Sequence, residues 1–239
     1  LGRGLHDDFL KNYQNNYDPT KPYDRDDAGR RSLQNTSLGY LSHSGDPEVA
    51  KFAVNQYNQA NNMTDRYAAL NIIINMDEAQ SYRDSLAQHF YYQFEQDALV
   101  VDKWISAFAR SQTEDILSVV KKLTEHEAFM NPTPNRMRAL YGVFSQGNPK
   151  GFHAEDGSGY EFVADFLMEL DAKNPQVASR MIGAFEEFKK YRLDLQSKME
   201  AQLCRLASMD KISTDLSEKL ARYLGKENFS QLRAGKASK

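Results

Sequence analysis

The chain has 239 residues, enough for one large domain or two small ones with a real buried core. Hydrophobic residues make up 41% and charged residues 26%, and the formal net charge of -3 gives no electrostatic reason to expect nucleic acid or an anionic membrane as partner. A single cysteine, Cys204, excludes an internal disulfide and any multi-cysteine metal site and fits a reducing compartment, and no apolar run approaches a membrane span.

Strand patterns are nearly absent, and helix patterns follow one another at short intervals. Leu5, Phe9 and Leu10 open a helix over roughly 3–15, in a start (LGRGLHDDFL) that lacks methionine and reads as cut from something longer. Past the turn-rich YDPTKPYD, a second helix carries Leu33, Ser37, Leu38 and Leu41 along one side. Gly45, Asp46 and Pro47 close it and open a third, with Val49, Phe52, Ala53 and Tyr57 as its stripe. The punctuation NQANNMTDR leads into a fourth, on which Tyr67, Leu70, Ile73 and Ile74 face inward.

Further helices are predicted at about 79–95, 98–110, 113–125, 134–146 and 158–171, then a long one over 175–209 and a short one over 213–224. Residues 226–239 are polar and basic and read as a frayed tail. The elements imply an all-α fold, a superhelical array of antiparallel helix pairs like armadillo or HEAT solenoids, with a closed helical bundle as the alternative. No linker divides residues 1–225, which read as a single domain.

The stretch HAEDGSGYEF (153–162) concentrates a histidine, carboxylates and glycines. Ser158 and Glu161 match the S-x-x-E capping box, so much of it reads as helix initiation. His153, Glu155 and Asp156 remain, too few for a metal site without a second cluster, and read as a polar loop or a contact to another domain. EHEAFM (125–130) begins like H-E-x-x-H, but Met130 stands where the second histidine belongs.

Arg138 lies beside the stripe of Met137, Leu140, Tyr141 and Phe144, and Arg180 flanks that of Val177, Met181, Ala184 and Phe188. Such arginines usually lay their stems on apolar surface and pair with water or a carboxylate. The sharper reading is a pair of guanidinium forks awaiting a carboxylate ligand. Trp104, Tyr141 and YYQF (91–94) read as core. The residues by themselves reach a helical domain with no visible catalytic centre.

QANNMTDRYAALN (59–71), VDKW (101–104), TPNRMRALYGVF (133–144), FHAEDGSGY (152–160) and NPQVASR (174–180) together resemble the C-terminal helical domain of the bacterial aminopeptidase N family of zinc metallopeptidases. The resemblance implies a cytoplasmic enzyme that releases N-terminal residues from peptides. In it, this domain caps the active-site chamber, gates entry of short peptides, and packs on the N-terminal and catalytic domains of the same polypeptide. The zinc ligands, the general base and the substrate's amino-terminus site would lie outside this chain, so no catalytic residue and no metal ligand is expected here. Arg138 and Arg180 match arginines that face the substrate cavity, and His153, Glu155 and Asp156 would sit near an interdomain or cavity surface. The alternative is a stand-alone α-solenoid that binds peptides or proteins.

Overall fold

The computed structural model describes residues 1–237, and every regular element among them is helical. The chain divides into two compact units, residues 1–113 and residues from 114 onward.

The first unit is built on α1 (His6–Asn16), α2 (Ala28–Leu41), α3 (Glu48–Gln59), α4 (Met63–Asn75), α5 (Gln80–Phe94) and α6 (Ala98–Ala109). α1 packs along α2 and α3 along α4, while α4 also touches α2, α5 and α6. That central position explains the apolar run LNIII, since Leu70, Ile73 and Ile74 are all buried. Helix starts are fixed by side-chain caps: Asn62 accepts from the Asp65 N–H at 3.0 Å, and Asp97 accepts from Leu99 and Val100. Trp104 is core, its indole N–H donating to the Ala87 carbonyl at 3.0 Å.

A polar seam runs through this unit that helical periodicity does not reveal. Gln34 donates to Gln56 at 3.0 Å, Gln56 donates to Asn35 at 2.7 Å, and Asn35 donates to the Asp65 carboxylate at 2.8 Å. Arg31 is buried beside it, donating to the Asp24 carbonyl at 2.6 Å with its guanidinium over the Tyr23 ring. Leu33, assigned by spacing to the buried side, is exposed, because Arg31, Gln34, Ser37 and Leu38 take the inner face of α2.

The second unit begins with α7 (Ile116–Glu125) and a short turn at Glu127–Phe129. Next come α8 (Pro134–Met137), a π-helical turn over Arg138–Gly142, α9 (Val143–Gly147) and α10 (Pro149–Phe152). The rest is α11 (Ser158–Lys173), α12 (Pro175–Met181), α13 (Leu193–Ala207), α14 (Thr214–Leu224) and α15 (Lys226–Ala237). Thr133, Asn148 and Asn174 cap α8, α10 and α12, each ahead of a proline in the first turn. α11 packs on α10, α12 and α13, and α14 packs on α12, α13 and α15.

Two expectations are corrected here. The continuous helix over 175–209 is broken: α12 runs into tight turns at Ile182–Phe185 and Phe188–Lys190, and Tyr191 and Arg192 are extended before α13. Burying both Phe185 and Phe188, and then swinging Tyr191 onto His153, outweighs the helix propensity of the segment. Residues 226–239, expected to fray, are helical as far as Ala237, and 238–239 lie outside the described residues. Gly225, at φ +91°, reverses the chain, and Arg233 donates to the carbonyls of Ala207 and Met209 at the end of α13.

Candidate functional site

The loop between α10 and α11 holds His153, Glu155 and Asp156, and each has a partner. Asp156 Oδ1 accepts from the Ser158 hydroxyl at 2.6 Å and the Ser158 N–H at 2.9 Å, bonds that hold its carboxyl below the usual range. The expected Ser158–Glu161 capping box is therefore absent, because Ser158 is already the first residue of α11 and its hydroxyl is spent on Asp156. The cap position belongs to Gly157, at φ +82°, whose carbonyl accepts from the N–H groups of Tyr160 and Glu161. Glu155 receives the Arg192 guanidinium at 3.2 Å, and its carbonyl receives Lys198 from α13.

His153 shares a 2.8 Å hydrogen bond between its Nδ1 and the buried Tyr160 hydroxyl, and its ring lies 4.5 Å from that of Tyr191. Burial pushes the His153 imidazole below its ordinary value and the Tyr160 phenol up to about 12, so both are neutral at pH 7. Gly159 is fitted against α10 so closely that a Cβ there would lie 2.2 Å from the Gly151 carbonyl oxygen. The three loop residues thus splice α10, α11 and α13 together. They do not fit zinc: their donor atoms face Tyr160, Arg192 and Ser158, and no group of three histidine, cysteine, aspartate or glutamate side chains among the described residues could hold a metal ion. In EHEAFM, the His126 ring accepts from the Ala128 N–H at 3.1 Å and caps a turn.

The arginines are placed differently. Arg138 opens the π-helical turn and is exposed, its guanidinium donating to the Asn135 side chain and, at 3.4 Å, to the Pro134 carbonyl. The π turn packs against α12, which carries Arg180 near its end. Arg180 is exposed, and no described residue offers it a hydrogen bond or an ion pair. Two guanidinium groups thus stand on neighbouring elements, and neither is neutralised by a described carboxylate. A π turn inserts one residue into the helical register, a feature frequent at functional sites. Sequence reasoning found the arginines but not that turn, which has no composition signal.

This fold is an all-α array of helix pairs, and residues 1–225 match the family described as "Domain of unknown function (DUF3458_C) ARM repeats". The chain belongs to that family and is homologous to the C-terminal part of aminopeptidase N. It is 39% identical over 226 residues to aminopeptidase N of Escherichia coli (strain K12), covering 94% of this chain and 26% of that protein. Against aminopeptidase N of Haemophilus influenzae it is 36% identical over 230 residues, covering 94% and 25%. The crystal structure of Legionella pneumophila aminopeptidase A in complex with aspartic acid superimposes with a TM-score of 0.83 at 28% identity, over 95% of this chain and 27% of that one. The chain therefore spans about a quarter of the length of these relatives. No helix among the described residues is long and apolar enough to cross a membrane.

Proposed function

We propose that this chain, with residues 1–225 acting as one domain, caps the active-site chamber of a cytoplasmic zinc aminopeptidase that releases N-terminal residues from short peptides. Its work is to wall that chamber, to limit entry to small or unfolded peptides, and to hold the departing part of the substrate with Arg138 and Arg180. The catalytic zinc belongs to another part of the polypeptide, and no step at the metal is assigned to residues here. The observation that carries the reading is the pair of exposed guanidinium groups on packed neighbouring elements, without a carboxylate partner among the described residues. Planar guanidinium donors suit the backbone carbonyls and terminal carboxylate of a peptide, and positioning of this kind lowers a barrier without taking part in bond making. On this reading the loop of His153, Glu155 and Asp156 presents its outer edge to a neighbouring domain.

The test compares Arg138→Ala and Arg180→Ala in the full-length enzyme on two substrates, a tripeptide and an aminoacyl chromophore with no peptide beyond the scissile bond. Loss of one charge-assisted contact lowers kcat/KM for the tripeptide about tenfold and leaves the chromophore substrate unchanged. Equal losses on both substrates, or none on either, would refute the assignment.

A further inference from the structure

Beside the π turn lies an open groove with a volume of about 710 Å³, lined by Met130, Met137, Tyr141, Phe166, Glu169 and Lys173 among others. Arg138 is not part of its lining, so the groove is a place separate from the arginine pair. Its floor is aromatic: the Tyr141 and Phe166 rings stack with centroids 3.5 Å apart and planes 8° from parallel. Met130 stands at the edge with 75% of its surface exposed, an adaptable apolar side chain held out to solvent.

Three polar groups in this groove have no hydrogen-bond or ion-pair partner among the described residues. Tyr141 is only 7% exposed and lines the groove, yet no described residue hydrogen-bonds its hydroxyl. The hydroxyl is not sealed from solvent, so it is the open end of a largely buried ring. Burial, then the charges of Glu169 and Asp165, raise its pKa, so the phenol keeps its proton and can donate. Glu169 and Lys173 sit one turn apart on α11, in the order that ordinarily forms a helix-surface ion pair. They form none here, and neither has another ion-pair partner among the described residues. The rim thus presents one carboxylate and one ammonium, carried by residues roughly 6 Å apart along the helix axis, with a phenol donor and an apolar floor beside them.

We propose that this groove binds a zwitterionic dipeptide with an apolar side chain. The α-ammonium meets Glu169, the carboxylate meets Lys173, the Tyr141 hydroxyl donates to the peptide carbonyl, and the side chain lies over Tyr141, Phe166 and Met137. In an extended dipeptide the ammonium nitrogen and the carboxylate carbon are roughly 6 Å apart by standard bond lengths, comparable to the one-turn rise between the two residues that carry the rim's charges. In a free amino acid the two charges are closer together than that rise, and in a longer extended peptide they are farther apart. The volume lies in the range of small-ligand sites.

Selective labelling of methionine methyl groups in the full-length polypeptide puts NMR reporters at Met130 and Met137. The probe is the ketomethylene isostere of Phe-Leu, which keeps both charges and the carbonyl but has no amide to hydrolyse. Saturable shifts at both methyls are expected, with affinity falling about tenfold when the probe is N-acetylated or C-amidated. Lys173→Gln removes the preference for a free carboxylate and Glu169→Gln that for a free ammonium. Tyr141→Phe, which keeps the ring stack, weakens binding about fivefold. Absence of shifts, or equal affinity for charged and blocked probes, would overturn the proposal.

Discussion

Gly159→Ala isolates what the FHAEDGSGY segment does. The added Cβ would lie 2.2 Å from the Gly151 carbonyl oxygen, 2.6 Å from that of Phe152 and 2.8 Å from the Phe152 Cα. All three are backbone atoms of the α10 end, so no side chain can turn aside. Relief requires α10 and α11 to separate by about 1 Å, which opens the interlock of Phe152, Tyr160 and Phe185, and overpacking of this kind costs about 3 kcal/mol. For a chain of this size that lowers the melting temperature by roughly 6–12 °C. Thermal unfolding followed by far-UV circular dichroism reads the change. Gly39→Ala is the control: it lies inside α2 with no atom within 4 Å of the new Cβ, and it stabilises by about 0.5–1 kcal/mol. A Gly159→Ala protein melting with the parent would refute the reading of this segment as a packed splice.

Ser213 caps α14 by accepting the Leu216 N–H at 3.1 Å while its hydroxyl and N–H satisfy the buried Asp171 carboxylate. Ser213→Ala is expected to cost about 1–3 kcal/mol in denaturant unfolding, and Ser213→Thr to restore most of it. His153 has a folded-state pKa below its unfolded value near 6.5. The unfolded chain therefore binds the proton more readily, so the contribution is present above pH 6.5 and is lost as pH falls through the folded value. The drop in melting temperature between pH 7 and 5 is expected to be shallower in His153→Gln than in the parent; an unchanged slope would refute it. His126, also lowered by burial, supplies part of the remaining slope with the same sign.

Helices were legible in the sequence because their evidence is local. Apolar stripes at 3.6-residue spacing and short polar caps such as Asn62, Asp97 and Asn174 act within a few residues, and they located most elements. The stretches that carried the family resemblance also survive reading without coordinates, so sequence alone placed the chain with aminopeptidase N and singled out Arg138 and Arg180.

What only the tertiary structure decided were outcomes in which distant residues compete for one group. Ser158 looked like a cap until Asp156 took its hydroxyl, and 182–192 looked helical until Phe185 and Tyr191 were pulled onto Phe152 and His153 and Phe188 was buried beside them in sequence. Gln34, Asn35, Gln56 and Asp65 read as scattered polar residues, yet they meet across three helices. Glu169 and Lys173 have the spacing of an ordinary surface pair, and only the groove beside them gives their separation a meaning. Local preferences amount to tenths of a kcal/mol per residue, whereas one buried aromatic ring or one orphaned buried polar group is worth several times that. Where the two conflict, the packing decides the outcome.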